Sequence, residues 1–554
     1  MKKLLSILSI VFIITVLSIL VLAAEGDEDT TSWNNSYASV TYLLYPFLDT
    51  DSTGNVYLAG LSTNTGIDTF YSYITKIYSN GTHDTTNWNK TEQMNSADGQ
   101  NVAKVDSNDQ IYFLIATQDD AGIDYGIVRK YSNDGVLNST WDFNMTGEFE
   151  DNQSDVFDIA VDSNDNLFVV GGGRYGTDTG VNKFFVKKFF VDNATEDPAW
   201  NYSLGEGNFN RVKIDSNNNV IAFGLDAGNG NIWYLQKFNS SADVQWNTSF
   251  TLSDPTADVP TALAVDSIGD IYIGGYGVNL TAPGSERDWR IKKVFSNGTE
   301  DLTWNKSFSG GTGNAESVKD IVIDSNDNIY VVGTLNISGK MQWHIKQFDT
   351  TGVEDGARWN KTLNVGADAT SGNAITVDTN NNVFSAGIGG GTEIDTGLWA
   401  GPTTIKKFDG PDTIAPNVTL TQPSAASNLS TGLQVFNATV SETNNLSQVI
   451  FQFDNSTGTA FNLTASNSTA TNYNVTVNLS DFIEGNHVLT IIANDTTNNI
   501  NNSETLNFTV DQSNPTVDLI TGNNTNFTTT TPPISFNFTD NLFATASCSV
   551  FVDG

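Results

Sequence analysis

The sequence contains few of the residues that build covalent cross-links or common catalytic centres. Its 554 residues include one cysteine, Cys548, and three histidines, His83, His344 and His487. A single cysteine excludes an internal disulfide scaffold, a zinc site built on cysteines and a CxxC redox centre. The three histidines lie far apart in the sequence and leave little material for a histidine-based active site.

Basic residues are scarce as well. Lys and Arg number 26 against 63 Asp and Glu, which gives a net charge of -37 at pH 7. Because such a surface repels phosphate backbones, we expect no nucleic-acid partner. The 38% of hydrophobic residues leave enough apolar material for a large core, and at about 150 residues per domain the length predicts three or four domains.

A long apolar run occurs at the amino terminus. Lys2 and Lys3 precede an uncharged stretch from Leu4 to Leu22, and two alanines and an acidic patch follow it. This is the order of an export signal, although the run is also long enough to cross a bilayer as an uncleaved anchor. Both alternatives place the acidic body outside the membrane. Residues 1–24 are therefore predicted to be a signal peptide or N-terminal anchor of an extracellular or cell-surface protein, with 25–32 as a linker.

The chain does contain a repeat of about 55 residues. In each copy an apolar strand leads into a turn of Asp, Ser and Asn, and a second strand rich in Val, Ile, Tyr and Phe follows. Asn and Asp suit such a turn because they tolerate left-handed backbone angles and bond their own main chain. The seven copies are anchored by Asp51, Asp106, Asp162, Asp215, Asp266, Asp324 and Asp378.

Two further elements recur in every copy. One is a strand with a basic-aromatic ending, such as IVRKY or FVKKF, and the other contains a tryptophan: Trp33, Trp88, Trp141, Trp200, Trp246, Trp304 or Trp359. Four short strands per period without helical periodicity are typical of a propeller blade. The repeat begins with the Trp33 strand and ends with the basic-aromatic strand at Phe408. The first strand is therefore expected to complete the last blade.

The segments VDSNDNLFVVG and IDSNDNIYVVG resemble the β-propeller repeats known as SBBP repeats and, less closely, NHL repeats. The resemblance covers residues 33–410, roughly two thirds of the chain, and rests on the sevenfold recurrence. It implies a seven-bladed β-propeller and an extracytoplasmic setting, and it implies no reaction.

The last third of the chain has a different character. A proline-marked linker at 411–416 is followed by alternating apolar and polar residues, as in LQVFNATV and NYNVTVNL, which indicates a half-buried antiparallel sandwich. The segment FIEGNHVLTIIAND resembles the end of bacterial immunoglobulin-like modules. The expected fold class is all-β: the propeller, an Ig-like β-sandwich over 414–512 and an incomplete second Ig-like domain over 513–554, in which Cys548 has no partner.

A calcium site is one interpretation of the Asp-Ser-Asn turn. Alternating oxygens in the third copy, from Asp162, Asn164 and Asn166, are similar to the start of a calcium loop. Leu167 and Gly173 occupy the places of the glycine and the glutamate that such a loop requires. Hairpin turn chemistry explains the pattern without a metal, so no cofactor is expected, and calcium is kept as the alternative.

The basic residues and the tryptophans have structural and binding interpretations. The cations of the basic-aromatic strands are predicted to form a solvated strand face paired with carboxylates, rather than a ring that holds acidic polysaccharide. The tryptophans are predicted to pack blades together, rather than to serve as sugar platforms, because they recur in phase with the fold.

Ligand recognition is assigned to the end of the blades whose loops vary. The turn between the first and second strands is nearly uniform from copy to copy, whereas the loops between the second and third strands differ widely. We therefore expect a noncatalytic binding or structural protein that recognises a surface glycan or a protein partner. The alternative is an extracellular polysaccharide-active enzyme that uses carboxylates on the same end. Candidate contacts are Arg174, Tyr175, Tyr276, Arg287, Asp288 and Trp399.

Asn-x-Ser/Thr sequons are frequent, and several follow the blade tryptophan or alternate with apolar strand residues. We predict that protein isolated from a native host that glycosylates exported proteins has a mass above that of the polypeptide. Mass spectrometry that finds the bare polypeptide mass would contradict this. The sites of interest are Asn89, Asn201, Asn305, Asn360, Asn474 and Asn478.

Overall fold

The structure is a computed structural model of the whole chain. The described residues are 28–30, 33, 35–37, 42–63, 69–95, 100–118, 124–145, 154–173, 182–200, 202–252, 259–278, 287–310, 316–363, 370–389, 392–395, 398–400, 403–410, 415–423, 428–430, 432–441, 446–454, 460–467, 471–495, 499–520, 528 and 534–540. The predicted signal or anchor over 1–24 and Cys548 lie outside them. Residues 25–411 form one compact unit, and residues 412–554 belong to another.

The first unit consists of four-stranded antiparallel sheets that follow one another along the chain. After β1 (Asn35–Tyr37), sheet 1 contains β2 (Tyr42–Thr50), β3 (Val56–Thr63), β4 (Phe70–Ile77) and β5 (Lys90–Met94). Sheet 2 contains β6 (Val102–Val105), β7 (Ile111–Gln118), β8 (Asp124–Tyr131) and β9 (Phe143–Asn144). Sheet 3 contains β10 (Ser154–Val161), β11 (Leu167–Gly173), β12 (Lys183–Phe189) and the start of β13 (Tyr202–Ile214).

The rest of β13 begins sheet 4, which continues with β14 (Val220–Asp226), β15 (Ile232–Phe238) and β16 (Val244–Phe250). Sheet 5 contains β17 (Val259–Val265), β18 (Ile271–Val278), β19 (Arg287–Val294) and β20 (Glu300–Phe308). Sheet 6 contains β21 (Ser317–Ile323), β22 (Ile329–Ile337), β23 (Lys340–Phe348) and β24 (Lys361–Leu363). Sheet 7 contains β25 (Ser371–Val377), β26 (Val383–Ile388) and β29 (Thr403–Phe408), and β27 (Thr392–Asp395) and β28 (Leu398–Ala400) form a separate hairpin.

The fourth strand of sheet 7 is β1, from the other end of the unit. Asn35 pairs with Ile405 and Tyr37 with Thr403 in antiparallel register. The N–H of Asp29 donates to the carbonyl of Lys407 at 2.9 Å, and the Lys406 ammonium pairs with Glu28. The sequence prediction that the first strand completes the last sheet is confirmed at this pairing.

Apolar side chains fill the space between consecutive sheets. Separate buried clusters join sheets 1 and 2, 2 and 3, 3 and 4, 4 and 5, 5 and 6, and 6 and 7. A further cluster joins sheet 7 to sheet 1 through residues such as Phe384, Ala374, Leu58 and Trp33. Burial on both faces explains why the second strands are continuous apolar runs, as in β3, whose residues are all buried.

Six of the seven repeat tryptophans are buried in these clusters, as the packing interpretation predicted, and Trp246 is half-buried. Each of the six buried tryptophans packs edge-on or tilted against an aromatic ring, for example Trp88 against Tyr57 at 5.0 Å between centroids. The indole N–H of Trp141 also donates to the Val191 carbonyl of the next sheet at 3.1 Å. The tryptophan therefore joins one sheet to the next through both apolar and polar contacts.

The second unit contains two facing sheets. One has the order β30 (Asn417–Gln422), β32 (Leu433–Ser441), β36 (Asn472–Asn478) and β35 (Ser466–Asn467). The other has the order β31 (Asn428–Ser430), β38 (Ile500–Asp511), β37 (Gly485–Asp495), β33 (Leu446–Asp454) and β34 (Ala460–Thr464). A single core that includes Phe436, Phe453 and Phe508 lies between them. The short strands β39 (Thr516–Leu519) and β40 (Phe536–Thr539) pair with each other.

The prediction of an all-β chain is confirmed for the described residues. Their only helical segments are three 3-10 turns, at Ser139–Trp141, Pro198–Trp200 and Leu479–Asp481. None of the described helical segments has the length and apolar character needed to cross a membrane.

Trp88→Ala is expected to lower the free energy of unfolding by about 3–5 kcal/mol, because it leaves a cavity between sheets 1 and 2. Trp246→Ala is the matched control at the same repeat position, and the half-buried ring predicts a smaller loss. Urea unfolding of the two variants measures the difference. Equal losses would contradict the inference that burial between sheets, rather than the repeat position, determines the tryptophan's contribution.

Candidate functional site

The uniform turn holds itself together through the anchoring aspartate. Asp324 Oδ1 accepts the backbone N–H groups of Asn326 and Asn328, both at 2.9 Å. Its Oδ2 accepts the Asn328 amide at 2.9 Å and the Tyr330 hydroxyl at 3.2 Å. The two backbone bonds recur in all seven copies. A carboxylate is required here because it accepts four hydrogen bonds at once.

Neighbouring turns are linked by the next residues of the motif. Ser107 donates its N–H and its hydroxyl to the carboxylate of Asp165 in the next turn, both at 2.9 Å. Asp165 is in the left-handed region, with φ 62°, which Asp tolerates. The same two bonds join Ser52 to Asp109 and Ser267 to Asp327. Ser163 and Ser325 donate their N–H to the amide oxygens of Asn218 and Asn381, whose amide nitrogens donate back to the serine hydroxyls. The uniform turns therefore lie side by side at one end of the sheets.

These contacts bear on the calcium interpretation. Asp162 Oδ1 accepts the N–H groups of Asn164 and Asn166 at 2.9 Å, and its Oδ2 lies 3.7 Å from the Lys188 ammonium. The side-chain oxygen Oδ1 of Asn166 accepts the N–H of Val191 at 3.2 Å. Oxygens that face N–H donors and a lysine are poorly placed for a cation, so the geometry favours the turn interpretation. No metal-sized cluster of acidic, His or Cys side chains occurs among the described residues.

The basic residues of the third strands pair with carboxylates, as predicted, but the prediction that they form a solvated face is wrong. Lys76, Lys130 and Lys237 are at most 7% exposed and pair with the anchoring aspartates of their own sheets at 3.3, 2.8 and 2.8 Å. Burial opposes ionisation of Asp51, but hydrogen bonds from Asn55 and Thr53, followed by the charge of Lys76, outweigh it and lower the pKa of Asp51. These lysines are buried because the neighbouring sheet covers them.

The predicted ligand residues that the structure describes lie at the opposite end, where the loops vary. Tyr276 lies near the end of β18 and Arg287 begins β19, and the Arg287 guanidinium carbon lies 4.6 Å from the centre of the Tyr276 ring. This stacked pair combines an aromatic ring with a planar cation. Asp288 is 2% exposed and its Oδ2 is 3.3 Å from Arg290, so it supports the strand beneath the surface.

Sequence reasoning missed Lys319 and Arg211, and the charges of Arg287 and Arg211 both act on Lys319. Lys319 is the extra residue of a bulge in β21, between Val318 and Asp320, and bulges turn a side chain away from the regular alternation. Burial, followed by the charges of Arg287 and Arg211, lowers the pKa of Lys319 to about 8. The charges of Arg287 and Arg211 therefore act on Lys319. The sequence signal at Lys319 was the pair of charges that it forms with Asp320 inside β21.

For the other predicted ligand residues the structure describes at most the backbone. Arg174 and Tyr175 lie outside the described residues. Trp399 pairs with Glu393 through the backbone of the β27–β28 hairpin. The structure therefore brings together Tyr276 and Arg287 from the predicted set.

The sequons occupy varied environments. Asn89 and Asn360 are exposed, whereas the amide of Asn305 is half-buried and donates to Glu300 at 2.8 Å. A glycan on Asn305 would attach to the same nitrogen and leave it one N–H donor for Glu300. Asn474 and Asn478 are half-buried on either side of the buried Val475 and Val477. Asn201 lies outside the described residues.

No protein-family model and no curated protein matches the chain. Among solved structures, the polysaccharide lyase Uly1 is similar with a TM-score of 0.43 and 10% identity, over 69% of this chain and 93% of that chain. The BP39L lectin from Burkholderia pseudomallei gives 0.43 and 10%, over 65% and 99%. An α-L-arabinanase from Penicillium chrysogenum gives 0.34 and 10%, over 70% and 96%. Similarity at these scores assigns neither a family nor an activity.

Millimolar calcium is expected to leave the melting temperature unchanged, because the Asp162 and Asn166 oxygens already accept hydrogen bonds. Asp162→Ala should lower the melting temperature equally with and without calcium, since it removes the acceptor that organises the turn. Thermal unfolding of both proteins measures this. A calcium-dependent rise in the parent that Asp162→Ala abolishes would establish the metal site instead.

Stability is expected to rise with pH between about 8 and 10.5 through Lys319. The pKa of Lys319 is about 8 in the fold against the ordinary value of 10.5. In that window the unfolded chain binds more protons than the native one, and raising the pH therefore favours the native state. The melting temperature should rise more steeply with pH in the parent than in Lys319→Met across this window. Equal dependence of the two melting temperatures on pH would contradict the lowered pKa.

Proposed function

We propose that this chain is a noncatalytic exported protein that binds a surface glycan or a protein partner, with a glycan as the better fit. The observation that carries the proposal is the Arg287 guanidinium stacked on Tyr276 beside Lys319. An aromatic face packs against the C–H side of a sugar ring, and a guanidinium forms paired hydrogen bonds with a carboxylate. The set fits a glycan that contains acidic sugars.

We also infer the architecture that displays the site. Seven consecutive sheets with a buried cluster between each neighbouring pair, including sheet 7 and sheet 1, support a seven-bladed β-propeller of the SBBP type. The facing sheets between residues 414 and 512 support an Ig-like β-sandwich that acts as a spacer, and 513–554 are assigned to a second Ig-like domain. Residues 1–24 would direct export or anchor the chain in the membrane.

The competing function is a polysaccharide-active hydrolase or lyase. A general acid or base must reach the substrate within hydrogen-bond distance. Near the Arg287–Tyr276 pair, the carboxylate of Asp288 is buried and lies against Arg290. The described geometry at this end therefore favours binding over catalysis.

Arg287→Ala is expected to weaken binding of an acidic glycan roughly tenfold, which corresponds to about 1.4 kcal/mol. Arg358→Ala is the control, because Arg358 is an exposed arginine that pairs with nearby Asp355 at 2.7 Å. Glycan-array binding followed by titration of the best ligand measures the ratio. Equal affinities of the two variants would reject the proposed site. New reducing ends during incubation would reject the noncatalytic assignment.

A further inference from the structure

A cavity of about 430 Å³ opens at one edge of the β-sandwich in the second unit. Its walls come from the start of β33, the end of β34, β35 and the start of β36. This is the place where the chain passes from the five-stranded sheet to the four-stranded sheet. The volume lies within the range of small-molecule sites, which is about 300–1,000 Å³.

The floor of this cavity is apolar. Val449 is buried in the core of the sandwich, and Leu446, Ala465 and Tyr473 pack against the margin of that core. The N–H of Ala465 donates to the Val449 carbonyl at 2.9 Å and fixes the point at which the chain changes sheet. The half-buried ring of Tyr473 gives the floor an aromatic surface. A ligand can therefore bury C–H groups here.

The rim of the cavity is polar. Ser447, Gln448, Thr464, Ser466 and Asn467 are exposed around the opening. Ser447 is the extra residue of a bulge in β33, and bulges turn a side chain away from the regular alternation. Gln448 Nε2 donates to the Thr464 hydroxyl at 3.3 Å, which leaves the amide oxygen of Gln448 as an acceptor. Hydroxyl and amide groups therefore surround the apolar floor.

The cavity differs in charge from the Arg287–Tyr276 pair. None of the described residues that line it is charged. Residues 412–554 also contain no Lys or Arg that could balance an anion. Because burial of a charge without a partner costs free energy, the cavity disfavours a charged ligand. An uncharged ligand that has both a C–H face and several hydroxyls matches the floor and the rim.

We propose that this cavity is a binding site for a neutral sugar, separate from the acidic-glycan site of the first unit. The C–H face of one sugar ring packs on Tyr473, and its hydroxyls form hydrogen bonds with the amides of Gln448 and Asn467. The sandwich is then a second binding module with the opposite charge preference. The proposal does not depend on the Arg287–Tyr276 pair.

Saturation-transfer NMR with the full chain and glucose, galactose and mannose tests the proposal. It is made on Arg287→Ala, so that the proposed acidic-glycan site does not contribute. At least one of the three sugars should bind, and the corresponding uronic acid should bind roughly tenfold more weakly, because its carboxylate has no counter-ion in the cavity. Binding of none of the sugars, or equal binding of a sugar and its uronic acid, would overturn the proposal.

A matched pair of variants locates the site. Gln448→Ala should weaken binding of that sugar roughly tenfold, which corresponds to about 1.4 kcal/mol. Gln452→Ala is the control, because Gln452 lies on the same strand and donates to Asn462 of β34 at 3.0 Å, but it does not line the cavity. It should keep the affinity. Equal affinities of the two variants would place the sugar elsewhere and overturn the site.

Tyr473→Leu tests the floor, since it keeps an apolar side chain and removes the aromatic ring. It should also weaken binding, and retained affinity would show that the ring does not hold the sugar, which overturns the proposed pose. The melting temperature of each variant shows whether it is folded. If Tyr473→Leu does not fold, the comparison of Gln448→Ala with Gln452→Ala decides alone, because both residues are at the surface of the strand.

Discussion

The anchoring aspartate of the uniform turn is the interaction on which the first unit depends. Its carboxylate shapes the turn through two backbone N–H bonds, and its second oxygen receives a lysine from the third strand, as Lys130 does for Asp106 at 2.8 Å. The turn then presents a serine to the following turn. One side chain thus fixes the register of the first two strands, the position of the third and the spacing to the next sheet.

Much of this fold could be predicted from the sequence because each repeat contains its own contacts. The period located the aspartates, the tryptophans and the strand of sheet 7 that comes from the amino terminus. Burial of Lys76 could not be predicted, since the neighbouring sheet that covers it is remote in sequence. Lys319 and Arg211 were missed because the repeats differ at those positions, and the bulge that directs Lys319 leaves no mark in the hydrophobic pattern.

The two units differ in the charged residues that they contain. Every Lys and Arg lies before residue 408, and residues 412–554 contain none. In the first unit the few cations are placed beside buried or central carboxylates. The sandwich has only like charges, so its stability comes from its phenylalanine-rich core and from hydrogen bonds such as that of Gln512 to the Phe482 carbonyl at 2.7 Å.

The strand β1 has a consequence for biosynthesis. Its partner, β29, is made only after all the intervening sheets, so β1 emerges first and remains without its partner until residues 403–408 have followed. During synthesis the other sheets can form in order while β1 is still exposed. Closure is then the last step, and it requires that the whole repeat region has been synthesised intact. A truncated product would keep an open edge and be a substrate for proteolysis.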